Sequence, residues 1–352
     1  MKLSILLTAY NQIELLRWNI ASLLQNESDD YEIVIQDDCS EDNIIDLIRQ
    51  FDDDRICYYC NPVNYGHDRN VIEGFKNCRS DHVFLLRSSD TILPGKIKII
   101  LDFIEKMPDV GYVRFSCIDE SGKVRIQYHD THYEDRMQII NLNRIVLLHP
   151  SGELYNRKLL PERDLNILSE YLDRYFHDRN KYVINELLRD KLSMSASFFL
   201  SKEFVWQYTR TEKRTDIAQN RNVDGICIYA PLYLHERLCC EISYIANEIQ
   251  GNYCEKKLLM IRVFDHYARM SIHEYKGINK NKAMQRHYGY EEAAFNSFKE
   301  LKLFKQVAIQ LAGDLPANFG DIVRKKARKL SLLSIGYWIG QDISFKFHKG
   351  LQ

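Results

Sequence analysis

Four short apolar runs, each followed by a polar loop and a stretch of helical period, occupy the first 90 residues, and this alternation limits the possible folds more than any other feature. Leu3-Ser4-Ile5-Leu6-Leu7 is apolar at nearly every position, the pattern of a parallel strand covered on both faces. From Gln12 to Gln25, Leu15, Leu16, Ile20, Leu23 and Leu24 recur at helical spacing. Tyr31 to Gln36, Arg55 to Tyr59 and His82 to Leu86 predict three more strands. Helices are expected from about Asn43 to Phe51 and through Val71, Phe75 and Cys78. Strands and helices alternating at this length predict an α/β fold, a mostly parallel sheet with right-handed crossovers and helices on both faces. In such sheets ligands bind at the loops following the carboxyl ends of the strands.

Composition excludes several classes. With 352 residues, 45% hydrophobic and 28% charged, the chain reads as a soluble globular protein of one large or two ordinary domains. A formal net charge of -1 gives no global electrostatic basis for a nucleic-acid partner. The nine cysteines are scattered, and the pair Cys57 and Cys60 has no second pair at zinc-ribbon spacing, so reduced thiols are expected. The opening apolar run is too short for a signal peptide, and no stretch reaches the ~18 apolar residues of a spanning helix. A cytoplasmic protein, or one held peripherally at the inner face of the cell membrane, is the expectation.

The loops narrow the ligand. A dinucleotide site would place G-x-G-x-x-G after the first strand, and a P-loop would need G-x-x-x-x-G-K-[ST]; the chain has TAYN there and no P-loop. Carboxylates instead follow the second and fourth strands, in QDDCS and RSSDTILP. Acidic groups cannot cradle a diphosphate directly, but they can hold a ribose, a base or a divalent cation that does.

Thr8-Ala9-Tyr10-Asn11, Asp37-Asp38-Cys39-Ser40, Asn64-Tyr65-Gly66 with Asn70, and Ser88-Ser89-Asp90 followed by Pro94 resemble, in order, the signatures of family-two glycosyltransferases with the GT-A fold. The resemblance covers about the first 115 residues. It implies a nucleotide pocket formed by Thr8, Ala9, Tyr10, Asn11, Asp37, Asp38, Asn64, Gly66, Arg87, Ser88 and Ser89, with Thr8 and Asp38 on the uracil or ribose. Plainer readings stand beside it. Ser40 or Asp42 suits a helix N-cap, Asn64 and Gly66 suit a tight turn, and Thr8 simply ends a strand.

That family usually shows D-x-D-D where this chain has Arg87-Ser88-Ser89-Asp90, so one carboxylate remains. The resemblance implies Mn²⁺ or Mg²⁺ at Asp90, bound together with the sugar nucleotide. Arg87 has three candidate roles: contacting the diphosphate, steadying Asp90, or pairing elsewhere.

Further on, VGYVRFSCIDESGKVRIQY predicts a strand, a turn at Glu120-Ser121-Gly122 and a returning strand. LLHPSGELYNRKLL resembles an acceptor-side segment of bacterial polysaccharide glycosyltransferases, in which Ser151 and Gly152 would let backbone approach a sugar; an ordinary turn into a strand is the alternative. The resemblance also implies inversion, with an acidic general base downstream. Asp178 in YFHDRNKYVINELL is the first candidate and Glu186 the second, with His177 as an acceptor contact; helix capping is the competing role. From about Pro231 onward the pattern is helical, giving an expected division into a catalytic domain at 1–230 (donor half 1–115, acceptor half 116–230) and a helical region at 231–352. Arg324, Lys325, Lys326, Arg328 and Lys329 adjoin an apolar aromatic segment, so residues 320–347 read as a membrane-surface helix or as one packed on its own domain.

Together these features predict an inverting enzyme that moves a hexose or N-acetylhexosamine from a nucleotide diphosphate-sugar to a glycan or lipid-linked acceptor in surface polysaccharide or O-antigen synthesis. The alternatives are a sugar-1-phosphate nucleotidyltransferase, which should carry a glycine-rich loop where TAYN stands, and an inactive sugar-nucleotide or glycan-binding module.

Overall fold

Strands β1 (Leu3–Ala9) and β2 (Tyr31–Asp37) are buried at every position, as their continuous apolar runs require. The computed structural model describes residues 1–26, 28–142, 151–176, 182–209, 231–280 and 297–331. They belong to two units. The first takes the described residues of Met1–Ile139, Leu148–Glu170 and Ile184–Thr215, and the second those of Ile140–Leu147, Tyr171–Val183 and Asp216–Gln352.

The first unit is built on a sheet. With β3 (Ile56–Cys60) and β4 (His82–Arg87), β1 and β2 form a parallel block in the order β3-β2-β1-β4. The chain steps outward from β1 to β3 and then returns to β1's other side, so the strand order reverses between β1 and β4. Open α/β sheets hold their ligands in the crevice at such a switch point.

Beyond β4 the strand directions mix. β9 (Glu153–Asn156) runs antiparallel to both β4 and β6 (Tyr112–Asp119), and β10 (Phe198–Tyr208) runs parallel to β6. Three short strands pair antiparallel at the far side: β5 (Thr91–Ile92) and β8 (Thr131–Tyr133) with β10, and β7 (Val124–Ile126) with β6. The β6–β7 pair is the hairpin expected around Glu120-Ser121-Gly122.

Period-two alternation divides β1 between two layers. Leu3, Ile5, Leu7 and Ala9 join the cluster containing Leu16, Ile20 and Leu23 of α1 (Ile13–Leu24) and Ile97 and Ile100 of α4 (Ile97–Lys106). Leu6 faces the other way, against α3 (His67–Asn77). There a Cβ on Gly74 would lie 2.5 Å from Leu6 Cδ1, so glycine lets the helix sit close on the strand. That seating fixes the N-terminus of α3 beside the ends of β1 and β2. Helix α2 (Ile44–Arg49) is capped by Asn43, whose side chain accepts from Asp46 N at 3.3 Å.

α7 (Ile184–Ser193) is anchored to the interior strands β9 and β6. Glu153, fully buried, accepts from the Tyr112 and Tyr155 hydroxyls, Asn185 Nδ2 and Arg189 Nη1 at 2.5–2.8 Å, with Arg114 Nη1 at 2.8 Å. Helices α5 (Arg136–Leu142) and α6 (Glu162–Tyr175) complete the order before β10.

The second unit is helical: α8 (Pro231–Asn247), α9 (Tyr253–Lys280), α10 (Ser297–Asp314) and α11 (Ala317–Lys329). Phe319, Ile322, Val323 and Ala327 of α11 are buried, Phe319 stacks on Tyr253, and Lys326 pairs with Asp265 at 2.6 Å. The apolar face of α11 is therefore packed on its own unit, while Lys325, Arg328 and Lys329 are exposed. Residues 332–347, the remainder of the segment read as membrane-facing, lie outside the described residues. Among those described, no helix is long and apolar enough to cross a membrane.

Candidate active site

Three strand ends meet at the switch point. Thr8 pairs in register with Gln36 on one side and Arg87 on the other, so these three side chains leave the sheet on the same face. Two strand spacings, about 10 Å, separate the ends of β2 and β4. The loops are stitched by main-chain bonds: Asp38 N donates to Ala9 O (2.9 Å) and Ser88 N to Thr8 O (3.2 Å).

Asn11 explains the last residue of TAYN. Its φ is +48°, a left-handed conformation that asparagine tolerates better than most residues. In that pose its N–H donates to Ser40 Oγ (3.0 Å) and its Oδ1 accepts from Glu41 N (2.8 Å), tying the first loop to the second. Asp42 Oδ2 accepts from Ile13 N at 3.0 Å. Ser40 and Asp42 thus do accept backbone N–H groups, but from the first loop and α1; Asn43 caps α2. Ala9 is buried in the core, and Tyr10 is exposed.

The paired carboxylates have separate tasks. Asp37 turns into the protein, accepting from Ser40 N (3.1 Å), Ser40 Oγ (2.5 Å) and the Tyr58 hydroxyl (2.8 Å). Burial, then the bond to Asp37, pushes the Tyr58 phenol far above its usual range. Asp38 Oδ1 accepts from Asn61 Nδ2 (2.9 Å) and Tyr65 N (2.7 Å), and its Oδ2 from Gly66 N (2.7 Å). Asn64 Oδ1 also accepts from Gly66 N at 3.0 Å, and Gly66, at φ +84°, forms the N-cap of α3. Asn64 and Gly66 therefore build the turn that carries donors to Asp38. A buried amide network supports it: Gln36 Nε2 to Asn61 Oδ1 (2.8 Å), Asn61 Nδ2 to Asn70 Oδ1 (2.9 Å), and Asn70 Nδ2 to Gln36 O (3.0 Å). Burial raises the Asp38 pKa and outweighs the lowering by these hydrogen bonds.

On the other side of β1, Arg87 grips Asp90 with two bonds, Nε to Oδ2 (2.9 Å) and Nη2 to Oδ1 (3.2 Å). Asp90 is 0% exposed and also accepts from Ser151 Oγ (2.6 Å) and Thr209 N (3.0 Å). Ser88 Oγ donates to Gln12 Oε1 (2.8 Å), and Ser89 is buried. Asn19, inside the apolar stripe of α1, donates to Asp90 O at 2.5 Å and accepts from Thr91 Oγ1 at 3.1 Å.

Ser151 and Gly152 are buried against protein. Ser151 Oγ accepts from Arg87 N (3.0 Å) while donating to Asp90. Gly152 has φ +80°, and a Cβ there would lie 2.0 Å from Trp206 Nε1. Ser151 thereby braces the Arg87–Asp90 pair. His177 and Asp178 lie outside the described residues. Glu186 is near Arg189 at 3.4 Å. Asn19, Asn61 and Thr209 were not singled out in the sequence. Asn19 had a signal, a polar residue at a core position of a helix; Thr209 had none, since it reaches Asp90 from 119 residues away.

The expected Mn²⁺ or Mg²⁺ can be tested against these donors. Such ions take oxygen ligands, and Mg²⁺ keeps near-octahedral geometry. Asp90 has no exposure and four donors already on its carboxylate, and Asp37 is spent within its loop. Among the described residues no group of three or more His, Cys, Asp or Glu is placed to hold an ion. Among the described residues, this arrangement does not fit a divalent cation held by the protein without nucleotide.

The fold and site define a GT-A glycosyltransferase framework. A family model described as Glycosyl transferase family 2 matches residues 4–163. The GalNAc(5)-diNAcBac-PP-undecaprenol beta-1,3-glucosyltransferase of Campylobacter jejuni is 32% identical over 217 residues, 56% of this chain and 68% of that protein. The chain belongs to glycosyl transferase family 2. An uncharacterized glycosyltransferase of Haemophilus influenzae is 28% identical over 152 residues, 43% of this chain and 50% of the relative, and one of Rickettsia felis matches over 28% of its own length. The chain thus spans half or less of these two relatives. In structure it resembles S. aureus TarS 1-349, solved in complex with UDP-GlcNAc, at a TM-score of 0.60 and 16% identity, over 94% of this chain and 92% of TarS.

Proposed function

We propose that the chain is an inverting glycosyltransferase that moves a hexose or N-acetylhexosamine from a UDP-sugar to a hydroxyl of a glycan or lipid-linked oligosaccharide. The observation that carries this reading is the convergence of Thr8, Asp38 and Arg87 at the switch point between β1 and β4. Asp38 suits the nucleoside end. A carboxylate accepts about four hydrogen bonds, and three are in place, so Oδ2 has capacity for one donor, such as a pyrimidine N–H or a ribose hydroxyl. Arg87 suits the diphosphate end. TarS was solved with UDP-GlcNAc and the Campylobacter relative is a glucosyltransferase named for a lipid-linked acceptor, which supports both substrate classes.

In the reaction the acceptor oxygen bonds to the anomeric carbon as the bond to the diphosphate oxygen breaks on the opposite face. The acceptor proton passes to a carboxylate, for which Asp178 is the candidate, and the nucleoside diphosphate leaves. Residues 116–230 serve the acceptor side, and in the helical region at 231–352 the exposed Lys325, Arg328 and Lys329, with the segment through 347, rest on an anionic membrane. The test is release of UDP from UDP-glucose, UDP-galactose and their N-acetyl forms with a polyprenyl-diphosphate-linked glycan. Transfer with inversion supports the reading, and Asp178→Asn should lower kcat about 10²–10⁴-fold while leaving UDP binding intact. Binding of the donor without any turnover would instead favour a sugar-nucleotide-binding module.

A further inference from the structure

We infer that the guanidinium of Arg87, clamped on Asp90, stands in this chain where a divalent cation would otherwise meet the donor diphosphate, so that nucleotide binding is metal-independent. The inference rests on the proposed nucleotide site and deepens it.

Charge gives the first argument. The family pattern D-x-D-D carries three carboxylates at these four positions, and a diphosphate cannot approach them without an intervening cation. Arg87-Ser88-Ser89-Asp90 carries one cation and one anion, a formal sum of zero. The repulsion that calls for a metal is absent, and a cation is already covalently part of the chain.

Orientation gives the second. Within the pair, the Arg87 side chain is 19% exposed and that of Asp90 is 0%. Of the two side chains at the end of β4, that of Arg87 is the one with solvent exposure, and the Asp90 carboxylate is enclosed. An incoming ion would need the buried partner, whose oxygens hold Arg87, Ser151 and Thr209 N. An incoming phosphate meets the more exposed one.

Rigidity gives the third. Guanidinium matches phosphate in a planar fork, but a free arginine loses rotamer freedom when it binds. Here the two-bond grip of Asp90 fixes the Arg87 plane beforehand. Asp90 is itself fixed by Ser151 from the start of β9 and by the main chain of Thr209. The Arg87 N–H bond to Ser151 Oγ closes the circuit. Because Arg87 is the register partner of Thr8, this preset cation stands one strand from the proposed nucleoside floor. Asp90, a metal ligand in the family's pattern, becomes the positioning residue for an arginine.

Titration calorimetry on the full chain, with UDP and uridine as probes, decides the matter. The wild-type protein should bind UDP with a Kd that changes less than about threefold between EDTA and millimolar MnCl₂ or MgCl₂. Arg87→Gln should weaken UDP at least tenfold while leaving uridine within twofold. If removing Arg87 alone unfolds the chain by stranding Asp90, the paired variant Arg87→Gln with Asp90→Asn removes both charges together and should show the same selective loss. A tenfold or larger gain in UDP affinity on adding Mn²⁺, or UDP binding indifferent to Arg87, overturns the inference and leaves the nucleotide site standing. Failure of UDP and of GDP and dTDP to bind in either buffer overturns the site reading itself, and this inference with it.

Discussion

Asp38 holds a carboxylate where little water reaches it, and its titration should report that. Burial raises its pKa above 3.8, so the folded chain binds this proton more tightly than the unfolded one. Ionisation of Asp38 therefore works against the fold above its folded-state pKa, and the penalty is relieved as pH falls through that value toward 3.8. Glu32 runs the other way. Burial raises it, but bonds from Ser4 and Arg79 prevail and its pKa falls below 4.5, so its stabilisation is present above 4.5 and is lost as pH drops through the folded value. In urea unfolding from neutral pH downward, the stability gap between wild type and Asp38→Asn should widen with acid, and the gap to Glu32→Gln should shrink. At neutral pH, Asp38→Asn turns an amide N–H toward the Tyr65 or Gly66 N–H and should cost about 1–3 kcal/mol. Gly152→Ala should cost about 1–3 kcal/mol from overpacking against Trp206 alone, read from the urea midpoint. A change below about 0.5 kcal/mol would mean that Trp206 has room to move.

At the scale of elements, β1, β2 and β4 were legible because they are almost wholly buried and so read as short apolar runs, and β3, half-buried at the sheet's edge, is still apolar or aromatic throughout. Their loops were legible because the left-handed Asn11 and Gly66 and the carboxylates of QDDCS mark them chemically. β9 was harder. Four residues long and antiparallel to both neighbours, it is defined by Glu153 meeting Arg114, Asn185 and Arg189, partners that no local pattern connects. For the same reason Ser151 read equally well as a sugar contact or a turn, since no local pattern announces its bond to Asp90. α11 shows a different limit: its basic run suggested a membrane surface, but its apolar face is covered by its own unit. Two truncations separate the roles. Removing 332–352 should leave the second unit folded and reduce binding to anionic vesicles, as measured by sedimentation. Removing 320–352 should also lower the thermal midpoint, because Ile322, Val323 and Ala327 leave the core. Equal vesicle binding by the 332–352 truncation and the full chain would rule out the tail as the membrane contact.

For the whole molecule, the account depends on where the nucleotide sits. The reversal of strand order between β1 and β4 places a crevice there, and the side chains at its rim offer one acceptor, Asp38, and one cation, Arg87. The second unit has no part in donor binding on this account. Hydrogen exchange read by mass spectrometry, with and without saturating UDP, tests this most directly. The account predicts slowed exchange in peptides covering residues 8–12, 37–41, 64–68 and 87–91, with the helices of the second unit unchanged. Protection confined to residues 231–331, or none at those four loops while UDP is bound, would contradict it.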